Sequence, residues 1–337
     1  MTQVERIGLA DATDLICRAL TTAGVPSGPA TSVAEALVAA EAEGQVGHGF
    51  SRLGDYVAQV RSGKINARAQ ISVQTLRAAS LRVDADCGFA YPAMDAAIAA
   101  GIPVALEQGI AVMGVANSHH CGALSVQVEK LARAGLIGLM FANAPKAIAP
   151  WGSHVPVFGT NPIAFAVPRA QTAPLVIDLS LSKVARGKVM NAYKSGQPIP
   201  EGWALDAAGQ PTTDAKAALD GTMRPIGDAK GTSLALMVEI LAALLTGSAL
   251  STEATSFFDA EGAPPRVGQT LIAIRPEDGA AGGFADRLEG LLGLIAGLEG
   301  ARLPGTRRLA AIAEARDHGL SVPRHYLDLA RSLCNAD

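Results

Sequence analysis

The hydrophobic period changes along this chain, and that change limits the fold more than any other feature. Ala10–Ala23, Pro29–Glu43 and Ser51–Ser62 place apolar side chains at intervals of three and four, the spacing of one helix face. Gly24, Gly44 and Gly63 stand where these helices should stop, and Ser27 and Ser51 are expected to cap their starts. Near Ile71 the period becomes two. Ile71–Leu76 and Ser80–Asp86 alternate about Arg77-Ala78-Ala79 and predict a hairpin. Helical and strand patterns then interleave: helix Pro92–Gln108, strand Ala111–Ala116, helix Ser125–Ala134, strand Leu136–Ala142. Strands Gly159–Val167 and Leu175–Leu179 and helix Lys183–Tyr193 follow. Ser195–Gly227 keeps no period and is rich in Pro, Gly and Asp, the mark of a long loop that often carries function. Helix Lys230–Leu245 and strand Gln269–Ile274 come next, and helices over Gly283–Leu298, Thr306–His318 and Pro323–Leu333 close the chain. A strand-bearing middle between helical ends predicts an α/β protein whose ends pack together. The expected division is a discontinuous helical domain, residues 1–70 with 283–337, around a central α/β domain, residues 71–282.

Composition removes several functional classes. The 337 residues are 49% apolar and 18% charged, which suits a large core and not a disordered chain. Lys and Arg number 28 against 31 acids, a formal net charge of −3, with no polybasic run and only 4% aromatics. That leaves little to grip a phosphate backbone or stack bases, so no nucleic-acid partner is expected. Cys17, Cys87, Cys121 and Cys334 lie far apart and form no CxxC pair, which argues for reduced thiols and against zinc. The first residues, MTQVERIGLADATDL, include acids and no apolar run of signal-peptide type. The apolar stretch Leu234–Leu245 is broken by Glu239 and too short to span a bilayer. A cytoplasmic protein with no membrane partner is the expectation.

The common chemical fingerprints are absent. There is no GxGxxG, so no standard Rossmann unit, and no GxSxG, HExxH or HxE…CxxC. Gly227-Asp228-Ala229-Lys230-Gly231-Thr232 fails the spacing of a P-loop. What remains is a set of polar residues at positions where polarity is costly. His48 lies between Gly47 and Gly49, with Arg52 four residues on; were the third helix to begin early, the two would share a face. A guanidinium grips a carboxylate and an imidazole donates a proton beside it, although a turn histidine and a wet arginine are the commoner meaning. Asn117-Ser118-His119-His120-Cys121-Gly122-Ala123-Leu124 joins a strand to a helix. The N–H groups of Gly122–Ser125 would suit an anion such as pyrophosphate; structural histidines in a connecting loop are equally common. Thr160 and Asn161, in Phe158-Gly159-Thr160-Asn161-Pro162, either bind substrate or shape a turn. Asp178, ahead of Leu179 and Ser180, suits a ribose or a helix cap. Arg302, Arg307 and Arg308 around Pro304-Gly305 make either a phosphate clamp or a solvated helix start, and Lys230 is similarly ambiguous.

Taken together, the blocks GHGFSRLGDYV, NSHHCGAL, NAPKAIAPWG, FGTNPIAFAVP, VARGK, PEGWALDAAGQPTTD, DAKGTSLALMVEILAALLTG and LPGTRR closely resemble the malate/L-lactate dehydrogenase family of NAD(P)-dependent oxidoreductases. This is the type unrelated to Rossmann lactate dehydrogenases, and the blocks keep family order from about Glu41 to Arg308. The resemblance implies a homodimer, a helical substrate-side and dimerisation domain, and a non-Rossmann cofactor domain with a mixed sheet. It makes His48 the proton donor, Arg52 the carboxylate anchor, His119 a second acid or base, and Thr160 and Asn161 substrate contacts. His120, Cys121, Gly122, Ala123, Leu124, Asp178, Leu179, Ser180, Lys230, Arg302, Gly305, Arg307 and Arg308 would line the cofactor. No metal is implied.

Within the family, Gly88-Phe89-Ala90-Tyr91-Pro92-Ala93, the short loop after Thr246-Gly247 and the basic LPGTRR are similar to the branch that reduces Δ1-pyrroline-2-carboxylate and Δ1-piperideine-2-carboxylate. The leading expectation is therefore reduction of these cyclic imines to L-proline and L-pipecolate. A 2-hydroxyacid dehydrogenase acting on malate, lactate or ureidoglycolate is the alternative, and a non-catalytic nucleotide-binding member the rival from another class. The chain departs from the family at Gly47, where a Ser is usual, and from the imine branch at Lys188, where that branch has an Asp and the hydroxyacid dehydrogenases a Lys; Cys121 stands where a Phe is usual near the cofactor. A cyclic imine arrives protonated, so it needs acid help less than a ketone does, and loss of a relay partner costs it less. The arginines favour NADPH, with NADH second.

Overall fold

The computed structural model describes residues 3–277 and 283–335. The first stretch forms β1 (Val4–Ile7), α1 (Leu9–Thr22), α2 (Ser27–Ala42), single 3-10 turns at Val46–His48 and Phe50–Arg52, and α3 (Leu53–Ser62). Ala12, Leu15, Ile16, Ala19 and Leu20 make the buried stripe of α1, the face predicted from their spacing. Gly24, Gly44 and Gly63 follow the three helices with φ of +98°, +78° and +80°. A left-handed residue ends a helix, and glycine adopts it without a Cβ penalty. The two expected serine caps are not formed. Pro26 precedes α2 and leaves Ser27 inside the first turn, while the Ser51 hydroxyl donates to the Val46 carbonyl instead.

The middle forms β2 (Ser72–Arg77), β3 (Ser80–Asp84), α4 (Ala90–Gln108), β4 (Ile110–Ser118), α5 (Leu124–Arg133), β5 (Ile137–Ala142), β6 (Ile163–Val167) and β7 (Leu175–Leu179). After α6 (Arg186–Lys194) the unperiodic segment holds β8 (Ala204–Leu205), β9 (Pro211–Thr212), α7 (Ala215–Asp220) and β10 (Thr222–Met223). It is a small three-stranded sheet with a helix capped by Asp214, not a featureless loop. Then come α8 (Ala229–Glu239), which runs on as a π turn over Ile240–Leu244, and β11 (Val267–Ile274). The main sheet has the order β2-β3-β4-β11-β5-β6-β7, and only the β3–β4 pair is parallel. One parallel crossover, β3-α4-β4, falls short of the consecutive parallel β-α-β-α-β series of a Rossmann fold, in keeping with the missing glycine fingerprint. β6 starts later than its apolar run suggests. Asn161 sits at φ +39° and a Cβ on Gly159 would lie 2.3 Å from the Ala144 carbonyl, so this stretch is a tight turn before the strand.

α9 (Phe284–Ala296), α10 (Thr306–His318), β12 (Leu320–Pro323) and α11 (Arg324–Leu333) complete the chain. β1 and β12 pair antiparallel from Val4↔Pro323 to Ile7↔Leu320, so the two ends of the chain meet as expected. The domain boundary expected between residues 282 and 283 borders residues 278–282, which lie outside the described residues. Side chains alternate across β5, with Met140 and Ala142 in the core beneath α1, α2 and α4 and Phe141 in a second core with Ile148, Phe158 and Val238. Among the described residues no helix is long and apolar enough to cross a membrane.

Candidate active site

The loop after α2 explains why His48 and Arg52 converge. Gly49 sits at φ −104°, ψ −132°, an extended link that separates the two 3-10 turns. The early helix start that would put both side chains on one α-helical face therefore does not occur. The link is pinned from below: the buried Glu41 carboxylate accepts from the Phe50 N–H at 2.9 Å, and a Cβ on Gly49 would lie 1.9 Å from Glu41 Oε2. Burial pushes the Glu41 carboxyl up to about 7.

Above this loop, the end of β4 brings His119 and His120 alongside. The His120 ring stacks on His48 with centroids 5.3 Å apart and planes 16° from parallel. His119 is buried, its ring 5.3 Å from Phe257 and edge-on to Tyr56. The Arg52 guanidinium is only 4% exposed. It donates to the Phe257 carbonyl at 2.7 Å, pairs with Asp55 at 3.1 Å, and lies 4.7 Å from the Phe258 ring centroid. Two further donors hold the same segment. Gln59 donates to the carbonyls of Phe257 and Asp259, and the buried Lys64 reaches the Asp259 carbonyl and carboxylate. Tyr56, Gln59, Lys64 and Phe257–Asp259 were not among the residues singled out from sequence. A signal existed for two of them, since Arg52, Tyr56 and Gln59 recur at helical spacing along one face.

The electrostatics run one way. Burial, reinforced by the nearby Arg52 cation, lowers His48 to about 4. Burial with Arg52 and Lys64 lowers His119 to about 3, and His120 is held well below its usual value for similar reasons. All three imidazoles are neutral at neutral pH, beside a guanidinium. Several of their atoms have no partner: His48 Nδ1, Arg52 Nε and both ring nitrogens of His119 are buried and unbonded. Buried polar groups are normally satisfied, so a cluster of exceptions marks a place built for something else. Chemically, the cluster offers a fixed cation for an anion and neutral imidazoles that accept a proton.

The expected cofactor residues divide. Gly122 adopts φ +67°, and a Cβ there would lie 2.4 Å from the Tyr91 hydroxyl, so the glycine answers to tyrosine packing. The side chains of Cys121, Ala123 and Leu124 are buried, and burial pushes the Cys121 thiol up to about 12. The helix N-terminus expected to offer free N–H groups is already capped: Ser125 N–H donates to Asp178 at 2.9 Å. Asp178 thus serves as a cap across two elements, and its carboxyl is pushed up to about 6, chiefly by burial. Ser180 bonds to Ser182 at 2.6 Å, and Leu179 is exposed. Arg308 does not form a phosphate clamp with Arg302 and Arg307. It is paired with the carboxylates of Glu43 and Glu129, and Glu43 also receives the Ser125 hydroxyl.

Arg302, Arg307 and Lys230 are exposed and carry no side-chain hydrogen bond or ion pair among the described residues. Gly305, at φ +81°, borders a cleft of about 140 Å³ lined also by Arg169, Val176, Leu303 and Arg308. The guanidiniums that line this cleft, Arg169 and Arg308, are paired with Glu289 and with Glu43 and Glu129, while the exposed Arg302 and Arg307 flank its Leu303–Thr306 wall and are donors of the kind that hold a phosphate. Thr160 is half-buried, its carbonyl accepting from the Leu181 N–H. Asn161 is held by the fold through its amide nitrogen, while its Oδ1 is buried without a partner. It is fully buried and its amide donates to the Ala235 carbonyl and to Glu239, which ties the turn to α8.

The family model for malate/L-lactate dehydrogenase matches residues 7–329. A (2R)-3-sulfolactate dehydrogenase (NADP(+)) from Chromohalobacter salexigens is 50% identical over 326 residues, covering 97% of each chain. A Δ1-pyrroline-2-carboxylate reductase from Pseudomonas fluorescens is 38% identical, covering 99% of this chain and 100% of that one. The crystal structure of Δ1-piperideine-2-carboxylate reductase from Pseudomonas syringae superposes with a TM-score of 0.92 at 37% identity, covering 98% of this chain and 99% of that one.

Proposed function

Since the chain belongs to the malate/L-lactate dehydrogenase family, we propose that it is an NADP-dependent oxidoreductase that interconverts a 2-hydroxy and a 2-oxo carboxylate bearing a second anionic group, (2R)-3-sulfolactate first among them. The observation that carries this reading is the buried Arg52 cation, with an unbonded Nε, among three imidazoles held neutral. Arg52 anchors the carboxylate. His48, neutral at rest, takes the hydroxyl proton in the oxidative direction and returns it in the reductive one. A dianionic substrate beside Arg52 offsets the field that keeps the imidazole deprotonated, so substrate binding itself favours the protonated donor. A bound NADP would supply the hydride acceptor or donor for C2. Arg302, Arg307 and Lys230 are the residues free to hold its phosphates, and the relative that is 50% identical carries NADP(+) in its name.

Reduction of Δ1-pyrroline-2-carboxylate or Δ1-piperideine-2-carboxylate, the leading expectation from sequence, becomes the second reading. Relatives at 38% identity and the fold of the piperideine-2-carboxylate reductase favour it. Against it stand the higher identity to the sulfolactate enzyme and Lys188, which departs from the imine branch. The homodimer belongs to the same proposal, supported by the exposed Leu234, Met237, Ile240, Leu244 and Leu245 on α8 and its continuation. Four free cysteines support a reducing, cytoplasmic setting.

A substrate panel decides between the readings. Sulfolactate should be oxidised with NADP+ at a kcat/KM at least about tenfold above that for imine reduction with NADPH, a difference of ~1.4 kcal/mol in transition-state stabilisation. The reverse order would make the imine reductase the function. Tight NADPH binding without turnover of any substrate would leave a retired, nucleotide-binding member.

A further inference from the structure

Behind the stacked imidazoles runs a buried chain of hydroxyls. His120 Nδ1 lies 2.6 Å from the Tyr56 hydroxyl, which lies 3.0 Å from the Tyr91 hydroxyl. Either tyrosine is able to donate to the other, so distance alone leaves the direction of the chain open. Donor counting closes it. Tyr56 and Tyr91 are both buried, and Tyr91 has no acceptor other than Tyr56 among the described residues. Were the chain to run from His120 outwards, the Tyr91 hydrogen would be buried with nowhere to go, a costly state. Were Tyr91 and His120 Nδ1 both to donate to the Tyr56 oxygen, the Tyr56 hydrogen would be the one buried without an acceptor among the described residues. With Tyr91 donating to its oxygen, Tyr56 has its own hydrogen left for His120 Nδ1.

We propose that Tyr56 is a positioning residue that fixes His120 as the Nε2–H tautomer, so that the stacked pair presents a permanent N–H donor beside Arg52. Burial raises the Tyr56 hydroxyl to about 12, which keeps it protonated and able to donate at every pH the protein meets. The His120 ring cannot turn away without losing both the Tyr56 bond and its stacking on His48. Groups facing it from other elements are Arg52, His48, His119 and Phe257, and none of them is an anion that would draw a second proton onto the ring. A donor with no partner at Nε2 suits the oxygen of a carboxylate, sulfonate or carbonyl. It opposes an iminium N–H, which is itself a donor. This consequence for specificity rests on the proposed oxidoreductase site; the tautomer does not.

The test is nitrogen-15 NMR of the ligand-free full chain labelled at histidine, with the His120 signals identified by their loss in His120→Gln. Wild type should show a protonated Nε2 and a bare Nδ1. Tyr56→Phe should give a mixture of tautomers, whereas Tyr91→Phe should keep the Nε2–H form, because His120 Nδ1 is then the one acceptor bonded to the Tyr56 hydroxyl among the described residues. A protonated Nδ1 in wild type, or an unchanged tautomer in Tyr56→Phe, would overturn the assignment. The wild-type spectrum decides the matter even where a variant fails to fold. In turnover, Tyr56→Phe should lower kcat/KM for the 2-hydroxy acid roughly tenfold, the scale of one hydrogen bond to a charged group, and leave imine reduction within about twofold. Equal losses on both substrates would overturn the role in specificity. A correct tautomer in a protein that turns over neither substrate would defeat the functional reading and leave this one standing.

Discussion

Two clusters of ionisable side chains, a few residues apart in sequence, treat polarity in opposite ways. In the first, Glu43 meets Arg308, Gln45 and the Ser125 hydroxyl, Glu129 meets Arg308 and Arg133, and Asp178 caps α5. Every carboxylate there has a partner, and the only orphan is Arg308 Nε. In the second, His48, Arg52 and His119 keep four buried nitrogens unbonded. Both clusters read alike as motifs, since each contains residue types suited to anions or protons. Their difference teaches that the satisfied cluster spends its polarity on the fold, while the unsatisfied one keeps hydrogen-bonding capacity of the kind the proposed substrate site needs.

The largest expected effect tests the second cluster. Arg52→Met should reduce kcat/KM for a 2-hydroxy carboxylate by about 10³-fold, the scale of removing one partner from a desolvated charge pair. Steady-state kinetics would show it chiefly in KM, with the thermal midpoint little changed. Marked unfolding with little loss of activity would place Arg52 in the structural class instead.

The first cluster should respond in the opposite sense. Arg308→Met removes the cation shared by the Glu43 and Glu129 carboxylates, whose side chains are 3% and 10% exposed, and leaves Glu43 with no cationic partner among the described residues. Breaking a buried pair in this way costs about 3–5 kcal/mol, measurable as a lower urea midpoint, while NADPH affinity of the folded protein stays as it was. An Arg308 variant of normal stability and weakened NADPH binding would return this residue to the cofactor site.

A smaller effect concerns pH. His119 has a folded-state value of about 3 against 6.5 in the unfolded chain, so the unfolded state binds the extra proton between those limits. Stability should therefore fall as pH drops from 6.5 towards 3, by about 2 kcal/mol at pH 5 from this group alone. His119→Gln should flatten that slope in urea titrations run at several pH values. An identical slope would mean that the ring is accessible enough to charge in the native state. The smallest effect belongs to the exposed arginines. Arg307→Ala should weaken NADPH about fivefold and leave NADH unchanged, since one solvated phosphate contact contributes about 1 kcal/mol.

How far the sequence could be read differs element by element. α1 and α10 were legible because each carries its pattern locally, and α10 spans Thr306–His318 as expected. β1 and β12 were not, because each has four residues and its partner lies at the other end of the chain. The π turn over Ile240–Leu244 reads as ordinary helix in any apolar pattern. Within the site, His48, Arg52 and His119 were found from sequence and do come together. Asn161, Asp178 and Arg308 had been assigned to ligands on residue type, yet each is occupied by a partner far away in sequence.

The sequence by itself determined the helical ends, the strand-rich middle, the absence of a Rossmann unit and the residues able to handle a carboxylate and a proton. These follow from local spacing and from the chemistry of single side chains. Only the tertiary structure decided which polar atoms are already satisfied, which imidazoles are held neutral and which nitrogen of His120 bears the hydrogen. Those properties belong to neighbours brought together by folding: burial and the charges packed alongside set a proton's free energy, and neither is written in the residue that carries it.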